Sequence, residues 1–151
     1  ITNVLMFIGG GSAGTAGGIK VTTFFLLAYV IWAEVRGEDD VIVGPRQVPR
    51  GAQRQALTIA LLGVAVVAVG TIVILTLSPH PLDVVMFESI SAFATVGLST
   101  GITAGLPASA QGMLMLLMFV GRVGTITVAS SLALRSRHRL YQLPEERPIV
   151  G

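Results

Sequence analysis

Thr95-Val96-Gly97-Leu98-Ser99-Thr100-Gly101 is the stretch that decides how the rest of this chain folds. It follows thirteen mostly apolar residues, 82–94, and precedes a second apolar run over 111–134. Thirteen residues of helix rise only about 20 Å, short of the roughly 30 Å of hydrocarbon in a bilayer, so 82–94 can enter a membrane without crossing it. An extended, glycine-containing segment at the end of such a half-length helix suits one task well. Its main-chain carbonyls can replace the water shell of a dehydrated cation, provided that side chains are small or threonine and one glycine frees the backbone. Gly97 is that glycine. Residues 95–101 therefore read as an ion selectivity filter, with Thr95, Val96, Gly97, Leu98 and Ser99 as its core.

Composition makes a bilayer the expected solvent. Of 151 residues, 52% are hydrophobic and 12% charged, and the mean hydropathy is +0.79, more apolar surface than a soluble domain of this size could bury. The chain has no cysteine, which excludes disulfides and thiolate metal sites. The net charge of +2 carries little by itself, because the placement of the basic residues is what informs; no nucleic-acid partner is expected. Residue 1 is isoleucine, and neither a charged leader nor a small-residue cleavage site precedes the first apolar residues. A piece of a longer protein is expected rather than a signal peptide.

Residues 1–33 are expected to form a broken transmembrane helix, because the apolar run is interrupted over 9–18, where six of ten residues are glycine. Each glycine costs a helix roughly 1 kcal/mol relative to alanine, and irregular backbone at membrane depth is tolerated only against protein or a water-filled cavity. Gly9, Gly10, Gly11, Ser12, Gly14, Thr15, Gly17 and Gly18, with Lys20 just beyond, are thus candidates for a pore-lining intramembrane loop. Close helix packing through Gly10-x-x-x-Gly14 and Gly14-x-x-x-Gly18 is the competing explanation. A dinucleotide fingerprint matches formally at Gly9, Gly11 and Gly14, but lacks the surrounding βαβ unit.

Residues 34–56 form a hydrophilic loop with room for a small hairpin near 41–48. A full span follows over 57–77, 21 residues without a charge, ended by Ser78-Pro79-His80-Pro81. Asp83 stands in the first turn of the short 82–94 helix, and Glu88 within that helix is expected to serve packing or hydrogen bonding rather than to touch an ion. The last span, 111–134, carries Arg122 between Gly121 and Gly124. An arginine at that depth costs several kcal/mol on insertion scales and marks a functional or a carbonyl-tied structural position. A basic tail occupies 135–151. Arginines 36, 46, 50 and 54 fall in or beside the 34–56 loop, and 135, 137, 139 and 147 in the tail, whereas 78–111 has neither lysine nor arginine. Loop and tail are therefore expected on the cytoplasmic side, with the filter mouth outside.

Three separated segments carry a resemblance. Residues 87–103, Phe87-Glu88-Ser89-Ile90-Ser91-Ala92-Phe93-Ala94-Thr95-Val96-Gly97-Leu98-Ser99-Thr100-Gly101-Ile102-Thr103, resemble the last filter of the Trk/Ktr/HKT superfamily of potassium transporters; the Thr-Val-Gly start is shared with TVGYG potassium channels, but Leu98 and Ser99 stand in place of Tyr-Gly. Residues 7–10 with 14–20 resemble the loop that interrupts the second helix of the third repeat, and Phe119-Val120-Gly121-Arg122-Val123-Gly124 the arginine-bearing segment of the last helix. The tail is similar to the Pro-Glu-Glu-Arg ending of the Ktr branch.

The resemblance implies an all-α membrane protein built from helix / pore helix / helix repeats with a re-entrant filter, preceded by the glycine-broken helix. This chain would supply the end of the third repeat and the whole fourth, 57–134. It further implies potassium bound by the carbonyls of Thr95, Val96 and Gly97, with sodium as a coupling or regulatory ion. The glycine loop and Arg122 would form a gate beneath the filter. It also implies a homodimer in the cell membrane with a cytoplasmic C-terminus, docked on a ring of nucleotide-binding regulatory subunits. Two other classes compete: a non-transporting membrane subunit packed through its glycines, which has no need of residues 95–101, and an enzyme, for which no catalytic constellation with water access is present.

Overall fold

The computed structural model describes residues 2–9, 17–38, 40–43 and 46–124. Five α-helices dominate: α1 (Thr2–Phe7), α2 (Val21–Arg36), α3 (Arg50–Leu77), α4 (Leu82–Ala94) and α5 (Ala108–Phe119). A short hairpin joins α2 to α3, with β1 (Ile42–Val43) antiparallel to β2 (Arg46–Gln47). One 3-10 turn, Thr103–Gly105, precedes α5, and α5 passes into a π-helical turn at Val120–Gly124.

Helix boundaries follow local chemistry. Pro49, Pro81 and Pro107 each stand immediately before a helix, with φ between −62° and −68° and extended ψ, since proline cannot donate to a preceding turn yet suits a helix entrance. Gly37 closes α2 in the left-handed region at φ 71°. Helix α3 begins at Arg50, seven residues before the uncharged stretch 57–77. Its first two turns are built from the good helix formers Arg50, Ala52, Gln53, Arg54, Gln55 and Ala56, which extend the helix beyond the apolar length that hydropathy detects. At 28 residues, with a window of mean hydropathy 2.7, α3 is long and apolar enough to cross a membrane. For the same reason α5 starts at Ala108, three residues before the expected span. Residues 125–151, which include the end of that span and the basic tail, lie outside the described residues.

Helices α3, α4 and α5 pack against one another, with α1 against α4 and α2 against α3. One core cluster joins Ile74, Val85, Ala92, Leu106, Ala110, Leu114 and Leu117. A second joins Met6, Val67, Ile90 and Phe93, and the Phe7 ring stacks on Phe93 with centroids 6.1 Å apart. The C-terminal half of helix α4 is consequently buried. Every residue from Glu88 to Ala94 is buried, whereas Phe25, Ile31, Leu61, Ile72 and Phe119 are among many large apolar side chains left exposed, as a lipid or further-helix environment would require.

The backbone of the first segment is broken after α1. Ile8 and Ile19 form a parallel bridge, with the Gly9 amide donating to the Ile19 carbonyl at 2.7 Å and the Ile19 amide to the Phe7 carbonyl at 3.3 Å. The chain thus runs in the same direction on both sides of the interruption. No side chain fits between the two strands, since a Cβ on Gly9 would overlap the Gly17 carbonyl oxygen.

Candidate functional site: the segment after the half-length helix

Helix α4 ends in a two-bond turn. The Thr95 amide donates to Ala92 (3.1 Å) and the Val96 amide to Ser91 (3.0 Å), the pattern in which a helix closes through a left-handed residue, normally glycine. Here that residue is Thr95, at φ 53° and ψ 37°, the one non-glycine residue with positive φ among the described residues. A Cβ in this region costs roughly 1–2 kcal/mol, more awkwardly for a β-branched residue. Such strain persists where the side chain is wanted, and the Thr95 hydroxyl has a specific partner: it accepts the Gly17 amide at 2.8 Å. Glycine at 95 should therefore relieve strain that alanine retains, although both lose the hydroxyl. Purified intact protein carrying Thr95→Gly is expected to unfold at higher temperature than Thr95→Ala, by roughly 1 kcal/mol in stability. Equal or reversed stabilities would contradict the left-handed turn.

Beyond Thr95 the chain is irregular, with positive φ at Gly97 (82°) and Gly101 (90°). The carbonyls of Thr95, Val96 and Gly97 accept no hydrogen bond from any of the described residues, whereas the Leu98 carbonyl accepts one from the Ser91 hydroxyl at 2.5 Å. Glu88, 5% exposed, holds the far side of the segment. Its Oε1 accepts from Ser99 Oγ (2.7 Å), the Thr100 amide (2.7 Å) and Thr100 Oγ1 (2.9 Å), and its Oε2 from Thr103 Oγ1 (3.1 Å). Glu88 thus has the hydrogen-bonding role expected of it. Its partners were missed: Ser99, Thr100 and Thr103 are eleven to fifteen residues away, and the one available signal is a hydroxyl-rich run after a helix that contains a lone carboxylate.

A cavity of about 550 Å3 brings these pieces together, lined among others by Glu88, Thr95, Gly97, Ser99, Phe119 and Arg122. Arg122 reaches it from the π-helical turn, a local widening common at functional positions, and its side chain is exposed. Gly121 makes that approach possible: a Cβ there would overlap the Phe93 carbonyl oxygen, so only glycine lets the end of α5 lie against the end of α4. Gly17 and Gly18 are buried against the same end of α4, Gly18 at φ 77° with its Cβ position 3.3 Å from Ala94. Lys20 stands just before α2 and is not among the residues lining the cavity. Of the expected gate, Gly10, Gly11, Ser12, Gly14 and Thr15 lie outside the described residues.

The cation transport protein family TrkH matches residues 1–138. The chain is similar to Ktr system potassium uptake protein B of Vibrio alginolyticus, 36% identical over 148 residues, which is 98% of this chain and 32% of that protein. Ktr system potassium uptake protein D of Bacillus subtilis is 33% identical over 147 residues, 97% of this chain and 33% of that protein. The potassium/sodium uptake protein NtpJ of Enterococcus hirae is 33% identical over 157 residues, covering 100% of this chain and 35% of its own length. The chain spans about a third of the length of the curated relatives it matches.

Proposed function

This chain belongs to the TrkH family of cation transport proteins, membrane transporters and not enzymes, and from that premise we propose that it supplies one quarter of a potassium-selective pore. The observation that carries this is the run of three carbonyls, Thr95, Val96 and Gly97, that accept no hydrogen bond from the described residues at the end of a buried half-length helix. Unpaired carbonyls at membrane depth are costly unless something replaces the missing donors, and a dehydrated cation does so. The C-terminal end of α4 adds the negative pole of its dipole at the same place. Four such segments would close a ring around the ion. Sodium is proposed as a second ion, in keeping with the potassium/sodium uptake named for the Enterococcus relative.

On this proposal α3 and the helix begun by α5 cross the cell membrane, α4 is re-entrant, and the 34–56 loop and the tail face the cytoplasm. There they would meet a ring of nucleotide-binding regulatory subunits serving a homodimer of the intact transporter. The glycine loop and Arg122 form the gate below the filter. The test is tracer rubidium uptake by potassium-uptake-deficient cells that express the intact protein. Saturable uptake and growth at low potassium are expected; neither, with the protein present in the membrane, would overturn the proposal.

A further inference from the structure

Glu88 is the one charged side chain among the buried described residues, in the helix proposed above to be re-entrant. A buried carboxylate without compensation is strongly destabilising. No cation compensates it among the described residues, where the salt bridge present joins Arg36 to Glu38. Compensation comes from four donors, and all four belong to residues 99–103, the last filter residue and the chain just beyond it.

The direction of each proton in this cluster is fixed by counting. Ser99 and Thr103 have one hydroxyl proton each, and a carboxylate can only accept, so both protons point at Glu88. Their mutual contact of 3.2 Å then carries no proton. Ser99 Oγ is left as an acceptor, and takes the Gly101 amide at 2.9 Å. A relay therefore runs from the Gly101 amide through the Ser99 hydroxyl to Glu88. The filter's inner end is fixed by the turn at Thr95 and by Ser91 on the Leu98 carbonyl. Its outer end has this bracket, supplemented by Gln111 Nε2 on the Thr103 carbonyl at 3.0 Å.

We propose that Glu88 is a positioning residue for ion selectivity: it clamps residues 99–103 to α4, and so holds the carbonyls of 95–98 at the spacing that distinguishes potassium from sodium, without touching the ion. The inference rests on reading 95–99 as the filter. It separates hydrogen bonding from charge, because glutamine at 88 can still accept from the Thr100 amide and, with the hydroxyls rotated, donate to Thr103.

The experiment measures the rubidium-to-sodium uptake ratio of the intact transporter carrying Glu88→Gln, Glu88→Ala or Glu88→Asp, alongside Gly97→Ser. Alanine removes the clamp and aspartate is a methylene too short, so both are expected to lower the ratio roughly ten-fold, the effect of about one charge-assisted hydrogen bond. Glutamine is expected to stay within about three-fold of wild type, as a neutral bond replaces a charged one. If Glu88→Ala fails to accumulate in the membrane, Thr100→Val with Thr103→Val removes two of the clamp's four hydrogen bonds, the two threonine hydroxyls, from the other side and leaves α4 intact; its ratio should fall as well. An unchanged ratio in a well-accumulated Glu88→Ala protein or in the double variant would overturn the inference, as would a glutamine variant as impaired as alanine. If Gly97→Ser shifts the ratio and Glu88→Ala does not, the clamp alone is wrong; if neither shifts it, the filter reading falls first.

Discussion

Replacing Gly97 by serine or alanine in the intact transporter is expected to cost most of the preference for potassium over sodium proposed for it. Gly97 sits at φ 82°, and a Cβ built there meets nothing within 4 Å. The penalty is therefore one of backbone conformation and not of collision within this chain. A left-handed residue with a Cβ costs roughly 1–2 kcal/mol, and at about 1.4 kcal/mol per ten-fold the ratio should fall about five- to thirty-fold. Serine and alanine should behave alike, because the Cβ and not the hydroxyl carries the cost. Competition of sodium against tracer rubidium uptake is the measurement. Selectivity unaltered in both variants would remove Gly97 from the filter.

The second large effect is expected at Arg122. Arg122 lines the cavity that Thr95 and Gly97 also line, and on the proposed topology a cation leaving the filter toward the cytoplasm passes this charge. At an effective dielectric constant of about 20, two like charges about 10–15 Å apart repel by roughly 1–2 kcal/mol. Arg122→Gln keeps much of the side chain's length and Arg122→Ala removes it. Both should raise the maximal rate of rubidium uptake about ten-fold and weaken its dependence on the proposed regulatory subunits, while Arg122→Lys stays near wild type. Rates and regulation at wild-type levels in the glutamine and alanine proteins, with normal amounts in the membrane, would sink the gate assignment, and the glycine run would revert to a packing surface.

What could be read without the structure was whatever one segment settles by itself. The limits of α4 follow from Pro81 before it and the Thr-Val-Gly run after it, and its thirteen-residue length from counting; hydropathy alone marks α3 as a helix long and apolar enough to span, and six glycines in ten residues mark the break between α1 and α2. Each is a property of consecutive residues, where rise per residue, propensity and transfer energy act locally. Where α3 begins was less legible, since its first two turns are polar and hydropathy reports the edge of the apolar stretch instead of the helix's. Only the tertiary structure decided which groups meet. The Thr95 hydroxyl finds the Gly17 amide 78 residues away, Gly121 is pressed on the Phe93 carbonyl, and Glu88 draws in Ser99, Thr100 and Thr103. Nothing in the spacing of these residues selects those partners. They are chosen when α1, α3 and α5 pack against α4, because the buried Glu88 carboxylate and the other buried polar groups must then be satisfied by whatever packing has placed within reach.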